Sequence, residues 1–193
     1  MNDDDERRAR FFALAVLPPA ARDPIVATVE ATPAQCRSSQ LRRLRGIIDF
    51  DFAHLVEIAD LWVASWQRTM PSIDFEGRRE WFCVHLDEAL RKGTRIRVAV
   101  AAAGDVVGFV TIDPATGWLD QIAVRPDWWG SDAAAALIAA AREISPRLVR
   151  LDVNADNPRA IAFYRRQGFE ETGRGTNPRS GLPTIALEWR PRR

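Results

Sequence analysis

The sequence is poor in sulfur, imidazole and lysine. Cys36 and Cys83 are its only cysteines, too few for a disulfide framework and without metal-ligand spacing. His54 and His85 stand apart from them and from each other, so no zinc site is expected. Lys92 is the single lysine, yet Lys+Arg number 27 against 26 Asp+Glu, and the net charge is +1. That balance leaves no field of one sign to attract nucleic acid or a membrane surface. No run of about 18 apolar residues occurs, and the opening MNDDDERRAR is charged, so neither a transmembrane helix nor a signal peptide is expected. The expected location is the cytoplasm. Tyrosine is the scarcest aromatic: Tyr164 stands alone beside 7 Trp and 9 Phe.

What is present describes an ordinary globular domain. Hydrophobic residues make up 47% and charged residues 27% of 193 residues, enough for one core with an appendage. Residues 1–45 read as an N-terminal extension of unknown role. They hold the apolar run FFALAVL, Pro18-Pro19 and the mixed stretch SSQLRRLR. FFALAVL suits a short strand or a helical turn, and periodicity does not decide between them. Residues 46–193 read as the main domain.

From Gly46 the pattern is regular. GIIDFD is a short strand. FAHLVEIADLWVASWQRTM carries a helical stripe of Leu55, Ile58, Leu61, Trp62 and Trp66, ended by Pro71. REWFCVHLDEALRKG is a second helix, stopped by Gly93. RIRVAVAA, VVGFVTID and GWLDQIAV are strands joined by Gly104-Asp105 and by Pro114–Gly117 turns. A helix over Asp132–Glu143 precedes the strand RLVRLDVN. Asn157-Pro158 then opens the helix PRAIAFYRRQG, with Pro158 suited to the first turn. FEETGR and PTIALEWR close the chain as strands. The order β-α-α-β-β-β-α-β-α-β-β predicts an α/β fold of the α+β kind, a mixed sheet with helices on both faces.

Two stretches offer chemistry. In WWGSDAAAALIAAA, Gly130 and Ser131 leave backbone bare before a helix N-terminus, where unpaired N–H groups and the helix dipole favour an anion. Asp132 gives the same stretch a second reading, since Asp is a good N-cap and alanine a good helix former. In LDVNADNPRAIAFYRRQGF, Asn157 and Tyr164 fall on similar sides of one helix. A phenol there can donate a proton to a leaving anion, or simply pack as a half-buried aromatic.

Together the two stretches resemble the GNAT superfamily of acyl-CoA-dependent N-acetyltransferases. The resemblance covers about residues 46–190. One half is the LxVNxxNxxAIxFYxxxGF pattern, met by Leu151, Val153, Asn157, Ala160, Phe163, Tyr164, Gly168 and Phe169. The other is VxP followed by a glycine turn and a helix, met by Val124, Pro126 and Gly130. The family splays two parallel strands, here GWLDQIAV and RLVRLDVN, and acetyl-CoA enters the gap. The resemblance implies that the pantetheine arm pairs with backbone at Ile122, Ala123 and Val124. The diphosphate then rests on N–H groups of Trp129, Gly130, Ser131, Asp132, Ala133 and Ala134. Asn157 touches the cofactor near its pantetheine, Tyr164 protonates the departing thiolate, and an N–H near Val124 polarises the thioester carbonyl. No metal is implied.

The amine must lose a proton before it attacks. Asp120, on the strand lining the acyl end, is the candidate base, with Asp74 and Glu80 as weaker alternatives. The acceptor, a small-molecule or peptide amine, is expected between the first two helices and the final hairpin. Trp62, Trp66, Trp81 and Phe75 lie there as cation-holding aromatics or as core. Neither nucleic acid nor membrane is an expected partner, and the resemblance leaves a homodimer open.

The turn departs from the family. Trp129 replaces a Gln/Arg and Asp132 replaces the central Gly. A carboxylate near a diphosphate costs roughly 3–4 kcal/mol per charge pair at an effective dielectric near 20. Two expectations follow: an N-acetyltransferase with weakened CoA binding, or a degenerate domain kept as a binding or scaffold module.

Overall fold

The computed structural model describes residues 43–177 and 181–192. The FFALAVL run and most of the 1–45 extension lie outside the described residues, as does part of the TNPRSGLPT turn. The elements are β1 (Leu44–Asp49), α1 (Leu55–Thr69), α2 (Arg79–Arg91), β2 (Arg95–Ala101), β3 (Val106–Ile112), β4 (Leu119–Val124), α3 (Ala133–Ile144), β5 (Val149–Asn154), α4 (Pro158–Arg166), β6 (Glu170–Thr176) and β7 (Pro183–Trp189). Their order is the expected one. β1 begins at Leu44, so the division drawn at Gly46 falls inside a strand, where its pairing with β2 shifts register.

Local chemistry sets the boundaries. Asp51 accepts the Ala53 N–H at 2.8 Å, while His54 Nδ1 accepts the Asp51 N–H at 3.0 Å. This reciprocal box tightens the turn that feeds α1 and gives His54 a structural task. α1 then buries Ile58, Leu61, Trp62, Ser65 and Trp66 on one face. Pro158 opens α4 directly after Asn157, whose side-chain oxygen accepts the Ala160 N–H at 3.1 Å.

β1 to β4 form an antiparallel sheet in chain order, and β5-β7-β6 form a second antiparallel group. β3, VVGFVTI, is buried at every residue because helices cover both its faces. Phe109 faces the layer of α1 and α2 with Trp62, Trp66 and Phe82. Val107, Val110 and Ile112 face α3 and α4 with Leu137, Ile138 and Tyr164. Alternation along the strand, reset by a bulge between Val106 and Gly108, sorts one segment into two cores.

β4 and β5 run parallel but meet at a single bridge, Trp118 with Arg150. There the Arg150 N–H donates to the Gly117 carbonyl at 2.8 Å. Gly117 sits at φ +69°, and a Cβ would collide with the Leu148 carbonyl oxygen, so only glycine suits this crossing. Past the bridge, β4 carries a bulge. Leu119 stands opposite Ile112 and Ile122 opposite Val110, so β4 holds the extra residue. The Gln121 N–H finds the Thr111 hydroxyl at 2.8 Å instead of a backbone carbonyl. Bulges bend and twist a strand, and here β4 leaves β5 beyond it. The inner edges of both strands are left unpaired to each other among the described residues.

Candidate active site

The unpaired edge of β4 runs from the bulge to Val124. The Arg125 N–H donates to the Val107 carbonyl at 2.9 Å, and Phe109 lies opposite Ala123. Antiparallel alternation then turns the Ala123 backbone groups toward β3 and those of Ile122 and Val124 toward the gap. The Val124 carbonyl is already engaged. It accepts from Ser65 Oγ at 2.7 Å and from Trp129 Nε1 at 2.8 Å. Of the three backbone positions expected to pair with a ligand arm, Ala123 therefore faces away and Val124 offers its N–H but not its carbonyl. Trp129 has its own explanation: the indole standing in place of Gln/Arg ties the turn back to the strand end.

The turn after β4 answers the question left open by Asp132. Asp132 occupies the N-cap position of α3, but its side chain makes no capping hydrogen bond. Ser131 Oγ takes the Ala133 N–H instead, at 3.3 Å. Asp132 lies at φ −75°, an ordinary helical value, so the position does not require glycine. The left-handed turn falls on Gly130, at φ +86° with open space where a Cβ would lie. Trp129 and Ser131 donate within the turn, to Pro126 and Trp128. The N–H groups of Gly130, Asp132, Ala134 and Ala135 have no hydrogen-bond partner among the described residues. The Asp132 side chain is exposed, while Ala133 and Ala134 are buried.

Tyr164 is fully buried, 0% exposed, packed between Phe163 and Phe169. Its hydroxyl has no hydrogen-bond partner among the described residues. A buried hydroxyl without a partner is costly, on the order of 1–3 kcal/mol, and calls for an explanation. Burial also pushes its pKa well above the ordinary phenol value, so the proton stays on at neutral pH. Asn157 spends its side-chain oxygen on the α4 cap and keeps its amide N–H₂ for other partners.

Asp120 sits on the β4 bulge, and the structure gives it a partner that sequence reasoning missed. His85 Nε2 lies 2.6 Å from Asp120 Oδ2, across 35 positions of sequence. Both side chains are largely shielded, at 16% and 14% exposure. His85 is therefore not isolated. Its ring stacks on Trp81, with centroids 4.9 Å apart and planes at 20°. The available signal was helical spacing, since Trp81 and His85 are i and i+4 on α2. Nothing local pointed to Asp120.

The two weaker base candidates lie at the surface. Asp74 is exposed and accepts the Gly77 N–H at 3.0 Å, a turn-forming role. Glu80 is exposed on α2. Trp62 and Trp66 are core: Trp62 stacks on Phe82 at 4.4 Å and donates to Gln121 Oε1 at 3.1 Å. Trp66 stacks on Phe75. Of the aromatic stripe, only Trp81 reaches the half-buried zone beside Asp120.

No group of three or more His, Cys, Asp or Glu able to hold a metal ion occurs among the described residues. No helix among them is long and apolar enough to cross a membrane.

A sheet split between parallel strands, joined to a turn of unpaired N–H groups and a buried tyrosine, defines an acyltransferase-like architecture. The family profile described as Acetyltransferase (GNAT) family matches residues 55–169, and the chain belongs to this family. It is similar to the peptidyl-lysine N-acetyltransferase YjaB of Salmonella typhimurium, 33% identical over 87 residues, covering 45% of this chain and 57% of that protein. The chain thus matches less than two thirds of that relative. YjaB of Escherichia coli is 28% identical over 130 residues, covering 66% of this chain and 83% of that protein. Among solved structures, apo YjaB from Escherichia coli superposes with a TM-score of 0.57 at 23% identity, over 75% of this chain and 95% of that one. A histone acetyltransferase HPA2-related protein from Corynebacterium glutamicum gives 0.63 at 18% identity, over 77% and 97%. These likenesses establish the fold.

Proposed function

We propose that the protein transfers acetyl from acetyl-CoA to a primary amine by direct attack, and that the amine is a lysine side chain of a peptide or protein. The observation that carries this reading is the unpaired inner edge of β4 ending in a turn with four partnerless N–H groups. An extended amide-bearing arm terminated by a diphosphate matches both halves of that surface. The edge supplies the N–H groups of Ile122 and Val124, and the turn supplies Gly130, Asp132, Ala134 and the helix dipole behind them. The fit extends to Tyr164, whose orphaned hydroxyl gains a partner when a thiolate leaves beside it. The acceptor class rests on the YjaB relatives, which are named peptidyl-lysine N-acetyltransferases.

In this reading each residue has one task. The Val124 N–H, pointing into the gap, supports the oxyanion that forms at the thioester carbonyl. Ser65 and Trp129 hold the Val124 carbonyl, and so fix the peptide plane at the strand end. Tyr164 keeps its proton until sulfur carries negative charge, then donates it. The proton of the attacking amine leaves on the Asp120 side.

Calorimetric titration with acetyl-CoA, followed by thiol release with a lysine peptide, tests the proposal. Micromolar binding with thiol release that falls about 100-fold in Tyr164→Phe is the expected result. Binding without thiol release from any amine would instead favour the degenerate binding module. Absence of binding would remove the cofactor reading altogether.

A further inference from the structure

We infer that His85, not Asp120, receives the proton of the attacking amine, and that Asp120 is a positioning residue acting through the His85 ring. The inference rests on the transferase reading above and specifies its base.

The geometry separates the two roles. Nε2 of His85 is 2.6 Å from Asp120 Oδ2, so the neutral ring places its proton there and donates to the carboxylate. The lone pair then resides on Nδ1, which has no hydrogen-bond partner among the described residues. Trp81 stacks against the ring and limits its rotation. The ring has the carboxylate on one edge and the Trp81 face on one side. Asp120 has the reverse geometry for a base, because its Oδ2 is already occupied by the ring. The two elements also bring the pair to the right place. Asp120 stands on the β4 bulge just before the Ile122–Val124 edge, and α2 carries His85 over it.

The step balances. An ammonium gives one proton to His85 Nδ1 and becomes a neutral amine. Its nitrogen lone pair forms the C–N bond at the thioester carbonyl. The C–S bond breaks, its electron pair leaves on sulfur, and sulfur takes the Tyr164 proton. The remaining surplus proton on nitrogen returns to the tyrosinate, and the imidazolium later releases its proton to water. The products are amide, thiol and one proton.

The test compares wild type with His85→Gln, Asp120→Asn and Asp120→Glu, using acetyl-CoA with two acceptor probes. One probe is a lysine peptide, whose amine is charged at neutral pH. The other is trifluoroethylamine, which is already neutral there. His85→Gln retains an amide N–H for the carboxylate, and circular dichroism with thermal melting checks that it folds. The expected result is a loss of about 100-fold or more in kcat/KM on the peptide, carried by kcat, with the defect at least tenfold smaller on trifluoroethylamine. Asp120→Asn should lose less than His85→Gln, and Asp120→Glu should recover part of that loss. Equal defects on both amines would mark a structural role and overturn the inference. A larger loss in Asp120→Asn than in His85→Gln would return the base to Asp120. Wild type that releases no thiol with either probe would overturn the transferase reading and this assignment with it, whereas an active wild type with an active His85→Gln overturns this assignment alone.

Discussion

Asp132→Asn removes one charge at the mouth of the proposed phosphate turn and keeps the shape of the side chain. The sequence comparison alone suggested a severe obstacle, with a carboxylate forced into the place of a glycine. The structure reduces it. Asp132 has helical φ, makes no cap and is exposed, so its charge is solvated. A charge pair about 4 Å apart interacts by about 4 kcal/mol at an effective dielectric of 20 but only about 1 kcal/mol in bulk water. An exposed carboxylate lies nearer the second limit. With two phosphate charges, the relief expected in Asp132→Asn is about 1–2 kcal/mol, or about 5- to 30-fold in acetyl-CoA affinity. Salt should erase most of it, because the Debye length falls from about 30 Å at 0.01 M to about 3 Å at 1 M. The same substitution removes a favourable charge from the N-terminus of α3, worth about 0.3–1 kcal/mol. Affinity should therefore rise while the melting temperature falls by a few degrees. Calorimetry at low and high salt, beside a melting curve, reads both. Unchanged affinity at low salt, or a gain that persists undiminished at high salt, would refute the electrostatic reasoning.

Tyr164 makes a second signature, in stability against pH. Its folded pKa is raised by burial, so above about pH 10 the unfolded chain has released a proton that the folded chain still holds. Stability is then fully present below that pH and declines above it, by at most about 1.4 kcal/mol per pH unit. In denaturant melts across pH 9 to 11, the stability of Tyr164→Phe relative to wild type should grow as pH rises, and parallel curves would contradict the burial. Trp129→Phe deletes the donor to the Val124 carbonyl and should cost about 1 kcal/mol by chemical denaturation, with weaker acetyl-CoA binding. Gly117→Ala meets both a left-handed φ and the Leu148 carbonyl, so a loss of more than about 2 kcal/mol is expected. A variant of unchanged stability would show that the bridge tolerates a different path.

The elements could be read from the sequence because each announced itself locally. The α1 stripe, the valine-rich β3 and the Asn157-Pro158 helix start are periodic or punctuated signals, and the structure has all three. The turn after β4 was legible as a turn, but not in which residue adopts the left-handed conformation. Gly130 takes it, and that frees Asp132 from the requirement. Contacts between distant segments were not legible. The His85–Asp120 pair spans 35 positions, and the double use of the Val124 carbonyl joins α1, β4 and the turn. Such contacts depend on how a bulge rotates a strand, and no pattern of side-chain types encodes that rotation. The tryptophans stayed ambiguous for a related reason: composition could not tell a stripe buried against Phe82 and Phe75 from one lining a pocket.

The single bridge at Gly117 and Arg150 also bears on how the molecule assembles. Every strand pairing in the described structure lies within one stretch of chain, β1 to β4 before it and β5 to β7 after it. Each half closes its own ladders, whereas the seam between them holds a single backbone hydrogen bond among the described residues. A tie so sparse is the first to loosen. Hydrogen exchange should find its amides, beginning with that of Arg150, less protected than those of β3. The cleft needs no machinery of its own on this view: it is the place where two separately finished sheets were never stitched together.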